Sequence, residues 1–230
     1  MAVKQILVNY SSPDSWYPKG QKRLEETMNQ FGFNGEMYMF SNNSQFGSPT
    51  HKENPYGFKI HAIQYALDRG AEIVWWMDSS IFPVKDISPI LKIVEEKGYF
   101  FEQCGYTAAQ WTNDKTLQYF ELTRDDAEKI QLFSAGFMVL DFRQELIREF
   151  FARFRNSYEA GMFKGSWTNA NNSESNDSRC MGHRHDLSCA SIIAYQLGMT
   201  YSPCGTYLSY VGSGYATPKE SSIFHLQPVV

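Results

Sequence analysis

The stretch AEIVWWMDSSIFPVKD, residues 71 to 86, limits the fold more than any other part of the chain. Five consecutive apolar residues, Ile73 to Met77, end abruptly on Asp78. An amphipathic helix would show polar residues every three or four positions, and a one-sided strand would alternate. A short continuous apolar run bounded by turn residues is instead a strand buried on both faces. Such a strand needs a layer of helices above and below its sheet, and the flanking sequence supplies them. FKIHAIQYALDRG precedes the run and DISPILKIVEEKG follows it, both with helical spacing, with Gly70 and Gly98 as stops and Asp86 as N-cap.

The same alternation extends along the chain. VKQILVNY reads as a first strand, QKRLEETMNQFG as a helix closed by Gly32, GEMYMF as a second strand and YFFEQCGY as the strand after DISPILKIVEEKG. LTRDDAEKIQLF is expected to be helical, SAGFMVLDF a strand, and RQELIREFFARFRNSYEAG a long amphipathic helix. A polar segment of about twenty residues, SWTNANNSESNDSRCMGHRH, leads to the helix DLSCASIIAYQLGM with Asp186 as cap. The tail holds a flexible Gly/Ser stretch and a final short strand carrying His225. Alternating strands and helices predict a single α/β domain over residues 1–230 with a mainly parallel central sheet flanked by helices. Ligands of such sheets bind beyond the carboxyl ends of the strands, which places Asp78 on the lip of a crevice. An acid there either caps a turn or binds a metal.

Composition narrows the class. With 21 Lys and Arg against 25 Asp and Glu, the net charge of -4 gives no footprint for nucleic acid or an anionic membrane. No stretch approaches the length of a membrane span, and the apolar run at the N-terminus is too brief for a signal peptide. The four cysteines form no CxxC pair, so the expectation is a soluble, cytoplasmic protein with free thiols. Aromatics make up 16% of the chain, enough to fill a core and also to furnish stacking platforms for sugars or bases. No GxxxxGK or GxGxxG loop is present, which argues against kinases and dinucleotide enzymes.

Four segments in order resemble a known family. EIVWWMDSSIF resembles the W-I-W-W-x-D-S-D-A strand and metal motif of the xyloglucan xylosyltransferase and yeast galactosyltransferase family, and FSAGFMVLDFRQELIREFFARF its N-(T/S)-G-S-F-L-L-R segment. HDLSCASIIAYQLGM is similar to its D-D-Q-S-A-L helix start, and SSIFHLQPVV to its closing strand. The resemblance covers roughly residues 55 to 230. It implies the GT-A fold and a retaining glycosyltransferase that moves a sugar from a nucleoside-diphosphate sugar to a glycan acceptor. It also implies a Mn²⁺ or Mg²⁺ ion held by Asp78 and His225, bridging the two phosphates of the donor. Where the family has its second acid this chain has Ser80, a weak neutral ligand. The outcomes are a weaker metal site, which the sequence favours, a metal-independent transferase, or a non-catalytic sugar- or nucleotide-binding domain of the same fold.

The resemblance assigns the remaining roles. Asp186 matches the acid near the reacting face, where His185 replaces the family's preceding acid and Leu187 its glutamine. The resemblance makes Asp186 a hydroxyl partner of the donor sugar or a stabiliser of an oxocarbenium-like transition state. Capping of its own helix is the competing role. Lys59 stands where a basic residue approaches the phosphates, and Tyr10 and Ser11 end the strand that holds base and ribose. Ser134, Ala135 and Gly136 are small enough for backbone to approach a sugar. Glu102, Gln103 and Trp111 are candidates for contacts to sugar hydroxyls or an acceptor ring. Two other chemistries are weaker. Cys180, His183, His185 and Cys189 have zinc-ligand types without a standard spacing. DSSIF lacks the second acid and the Thr or Val of haloacid-dehalogenase-like phosphatases.

Overall fold

The computed structural model describes residues 3–13, 16–212 and 217–228. The segment read as a flexible Gly/Ser stretch falls partly on residues 213–216, and the last two residues of the closing strand on 229–230. Both lie outside the described residues.

Strand β3 (Ile73–Met77) carries the opening sequence, and all five of its side chains are buried. It lies at the centre of a five-stranded sheet. β1 (Gln5–Tyr10) pairs with it in parallel, and β2 (Glu36–Phe40) continues the parallel half beyond β1. On the other side β8 (Phe137–Asp141) runs antiparallel to β3, with Trp75 opposite Val139, and β5 (Tyr99–Phe100) runs antiparallel to β8. Four strands therefore point one way and β8 the other. Among the described residues no helix is long and apolar enough to cross a membrane.

The period of two along each strand separates two cores. Ile6, Val8, Val74, Trp76, Met138 and Leu140 face one layer, made by α2 (Phe58–Leu67), α7 (Glu145–Glu159) and α8 (His185–Gln196). Leu7, Trp75, Met77, Phe137 and Val139 face the other, made by α1 (Tyr17–Gln30) and α3 (Ser88–Lys97). Both tryptophans of β3 are essentially inaccessible, one in each layer. Burial of a large side chain on this scale contributes about 1.5–3 kcal/mol. The lack of alternation in IVWWM is thus the direct result of apolar layers on both sides.

Some expectations need correction. LTRDDAEKIQLF is not one helix: α6 (Arg124–Glu128) stops early, and β7 (Gln131–Phe133) pairs with β6 (Gln103–Thr107). YFFEQCGY is likewise two strands, β5 and β6, because Phe101 and Glu102 leave the main sheet to follow Ser202. Between β6 and α6 lie two short helices, α4 (Ala108–Trp111) and α5 (Asp114–Tyr119). A second small sheet joins β4 (Ile81–Pro83), immediately after Asp78, to β10 (Phe224–Leu226) and β9 (Leu208–Tyr210). Asp86 is not the N-cap of α3: Ile87 holds that position without a side-chain cap, and Asp86, one residue earlier, accepts the Ser88 N–H at 2.9 Å.

Candidate active site

Asp78 is the first residue of the apolar run to clear the helical layers. Its backbone N–H donates to Gly136 O at 2.8 Å and its carbonyl accepts from Ile81 N–H, which fixes the turn into β4. Two glycines make this turn possible. A Cβ on Gly136 would stand 2.7 Å from Asp78 Oδ2, and one on Gly20 would stand 2.3 Å from Ser79 O. The close approach that Gly136 allows within the fold is by the Asp78 carboxylate. Asn9 ties the turn to β1: its Nδ2 donates to Met77 O at 2.6 Å, and its Oδ1 accepts from Ser79 Oγ and Gln21 Nε2.

The electrostatic centre is Lys59. This lysine projects from the first turn of α2 into the interior, with 2% of its surface exposed. Nζ lies 2.7 Å from Asp186 Oδ2 and 3.6 Å from Asp78 Oδ1, and it donates to Ala135 O at 2.9 Å. Burial alone would lower the Lys59 ammonium, but the Asp186 and Asp78 carboxylates outweigh it and hold Lys59 above the ordinary lysine range. Burial pushes the Asp186 carboxyl up, because one ammonium shared between two carboxylates does not compensate both fully. Asp78 receives a further donor, Trp76 Nε1 at 3.0 Å, and keeps 39% of its side chain exposed. Of the two acids, Asp78 faces the crevice and Asp186 lies behind Lys59.

Asp186 does not cap its helix. α8 starts at His185, Asp186 lies in its first turn, and no side chain caps that end. His185 adopts φ 52°, a left-handed conformation that a residue of this size rarely takes without surrounding support. Its Nδ1 lies 2.8 Å from Phe163 O, so Nδ1 carries the proton and Nε2 is an acceptor. Nε2 is buried with no partner, and burial lowers the pKa of the ring. His185 is packed against Tyr56, with ring centroids 5.0 Å apart, and Tyr56 is itself at φ 57°.

A cavity of about 510 Å³ opens above Asp78, Ser79 and Ser80. Aromatic walls surround these polar residues: Tyr10 from the end of β1, Trp16 and Tyr17 from the start of α1, and Tyr56 and Phe58 from the start of α2. His51 completes the rim, its Nδ1 accepting the Tyr56 N–H at 3.3 Å. Sequence reasoning missed Asn9 and every wall residue except Tyr10. Their signal was position: WYP and YGF lie in the connections that follow the carboxyl ends of β1 and β2, where α/β sheets hold ligands.

The other expected residues are more dispersed. Tyr10 lines the cavity and its hydroxyl donates to Asn43 Oδ1 at 2.6 Å. Ser11 is 1% exposed and is not among the lining residues, whereas Ser12 is. Ser134 is buried, its N–H donating to Glu102 O at 2.9 Å. Glu102 does not present its carboxylate to the cavity, since it accepts the N–H groups of Tyr207 and Leu208. Burial pushes its carboxyl up to about 7.

The donor set does not fit a divalent cation. His225 stands opposite Phe82 in the β4–β10 ladder, its ring 6.0 Å from that phenyl, and it is not a lining residue. Burial and the nearby Lys85 lower its pKa. Ser80 reaches the cavity, but its backbone is occupied in binding Gln227 N–H at 2.9 Å. Among the described residues no three His, Cys, Asp or Glu side chains converge to hold a metal. That covers the zinc constellation too: His183 accepts the Asn113 N–H and lies 2.9 Å from Met162 O, while Cys180 and Cys189 turn to backbone carbonyls.

No protein-family model matches the sequence, and no curated protein matches it. Solved structures do. The chain is similar to mouse xyloside xylosyltransferase 1 in its apo form, with TM-score 0.52, 9% identity and 97% of each chain covered. It is also similar to the apo structure of WbbM, a bifunctional glycosyltransferase, with TM-score 0.56 and 11% identity. That match covers 98% of this chain and 46% of the other, so this chain spans about half of the larger protein. At these identities the likeness shows the fold alone, a GT-A-like α/β fold with a mainly parallel central sheet.

Proposed function

We propose that this protein is a glycosyltransferase that moves a sugar from a nucleoside-diphosphate sugar to a glycan acceptor. The observation that carries the proposal is Asp78: a partly exposed carboxylate held at the end of β3 by Gly136 and Lys59, at the floor of an aromatic-walled cavity. The floor and the interior behind it are rich in acceptors. Asp78 and Asp186 accept only, and His185 Nε2 is an acceptor without a donor. Sugar hydroxyls are the donors that such groups recognise. The walls suit a different part of the same ligand, since Trp16, Tyr17 and Tyr10 offer faces on which a base stacks.

The chain's residues divide the work accordingly. Asp78 binds a hydroxyl of the transferred sugar and favours positive charge as the anomeric bond to the diphosphate lengthens. Lys59 fixes Asp78 and keeps two neighbouring carboxylates from repelling one another. Asp186, on its far side, holds Lys59 in place and stabilises the same developing charge at longer range. Retention of configuration follows the family resemblance. The divalent cation expected from that resemblance finds an incomplete donor set here, so no step is assigned to it.

A panel of sugar nucleotides, assayed for release of nucleoside diphosphate with Mn²⁺ and with a chelator, tests the proposal. Hydrolysis of at least one donor that persists in the chelator is expected, and Asp78→Asn is expected to lower it about a hundredfold, the scale of one lost electrostatic contact. Ser80 at the second acid position favours one other reading, a non-catalytic binding domain of the same fold. Donor binding without turnover of any donor, with or without metal, selects that reading.

A further inference from the structure

Arg184 precedes the His185–Asp186 pair, and its surroundings differ from those of every other arginine. Arg124, Arg143, Arg153 and Arg179 pair with carboxylates, and Arg23, Arg69, Arg148 and Arg155 donate to oxygen atoms. The Arg184 guanidinium has no acceptor among the described residues, and its Nε is shut off from solvent with no partner. Aromatic rings frame it instead: its Cζ lies 4.0 Å from the Trp111 centroid, 4.6 Å from Trp167 and 5.9 Å from Tyr106.

Such framing holds the planar fork still without using its hydrogen bonds. A guanidinium fixed in that way is pre-organised for two parallel hydrogen bonds to a carboxylate or phosphate. The surroundings point to a saccharide as the carrier of that anion. Trp167 and Tyr106 are exposed, at 47% and 40%, and present ring faces beside the cation. The buried His185 Nε2, an acceptor awaiting a hydroxyl, belongs to a ring 5.4 Å from that of Trp167. The patch is continuous with the cavity through Tyr56, which packs against both Trp167 and His185, yet Arg184 does not line the cavity itself. The donor's diphosphate is therefore not its natural partner.

We propose that Arg184, framed by Trp111, Trp167 and Tyr106, forms a subsite for an acidic group on the acceptor saccharide, a carboxylate or a phosphate, with Trp167 and Tyr106 carrying the sugar ring. This rests on the transferase reading for the word acceptor. The site is tested by binding, independently of turnover. Methyl glucuronide, glucose 6-phosphate, methyl glucoside and inorganic phosphate are titrated against the whole chain, followed by the Trp167 indole signal in NMR spectra. The first two sugars are expected to bind about tenfold or more tighter than methyl glucoside, the scale of a charge-assisted pair, and their ratio identifies the anion.

Arg184→Gln is expected to bring the acidic sugars within about twofold of the neutral one, and Arg184→Lys to restore part of the preference. Uridine diphosphate affinity is expected to stay unchanged in Arg184→Gln. Equal binding of acidic and neutral sugars by the wild type, or a preference that survives Arg184→Gln, overturns the proposal. So does inorganic phosphate binding as tightly as glucose 6-phosphate, or loss of uridine diphosphate binding in Arg184→Gln. If that variant fails to fold, Trp167→Ala decides instead: it must weaken acidic and neutral sugars alike. An acidic preference in a chain that binds no sugar nucleotide removes the transferase reading and leaves the subsite standing.

Discussion

Two cations flank the start of α8, and the protein treats them in opposite ways. Lys59 is buried among three oxygen atoms of its own chain, two from carboxylates and one from a carbonyl. Arg184 is stacked among rings and has no oxygen at all among the described residues. A charge answered within the fold holds the fold and positions its neighbours. A charge left unanswered is kept for something outside the fold. The contrast separates the internal frame of the site from its recognition surface, although the two residues converge on the same helix end.

The largest expected effect breaks the Lys59 side. Lys59→Met removes the cation between two acids and leaves Asp186 buried without it, which is expected to cost about 3–5 kcal/mol in urea unfolding. A loss below about 1 kcal/mol would mean that the pair is not charged, and the contrast with Arg184 would collapse. Next is Gly136→Ala. Its methyl would meet Asp78 Oδ2 at 2.7 Å, so either the acid or β8 must move. Overpacking of this kind is expected to cost about 1–3 kcal/mol, with a larger loss in sugar-nucleotide affinity than in stability. Affinity unchanged at lowered stability would detach Asp78 from ligand binding.

A third test concerns an acid with no cation at hand. Glu102 is pushed up to about 7 by burial, so the folded state holds its proton more tightly than the unfolded chain does. Its contribution is full below the ordinary carboxylate range and is lost as pH rises through about 7. Hydrogen exchange at Tyr207 and Leu208, whose N–H groups the carboxyl accepts, is expected to show increased opening across that window once corrected for intrinsic rate. Glu102→Gln should flatten the dependence; an unchanged profile assigns it to another group. The smallest effect is on the other cation: Arg184→Gln gives up its ring contacts alone and is expected to cost about 0.5–1 kcal/mol.

The sheet and the position of Asp78 were legible in the sequence because both are local. IVWWM announces two-sided burial within five residues, and the acid follows immediately. The failures are all non-local. QLF reads as the end of a helix until β6 offers it a partner, and β4 and β9 are three-residue strands that exist only through β10. The same holds for the site. Nothing in NPYGFKIHAI reveals that Lys59 meets Asp186, and the cap expected of Asp186 yields to that ion pair because an interior cation outweighs one helix-end N–H. The resemblance placed His225 beside Asp78 through the order of segments. Strand pairing puts it opposite Phe82, next to the pair formed by buried Ile81 and half-buried Leu226, a register the order of segments does not disclose.

The pairing of β4 with β10 also affects the order in which the protein is made. The turn that presents Asp78 runs directly into β4, and Ser80 O is held by Gln227 N–H. Residues 224–227 leave the ribosome long after residues 78–83, so β1, β3 and α2 are free to assemble while that edge still has no partner. The nascent chain would thus acquire its sheet and the walls of its cavity early, and the strand that anchors the cavity's Ser80 edge last.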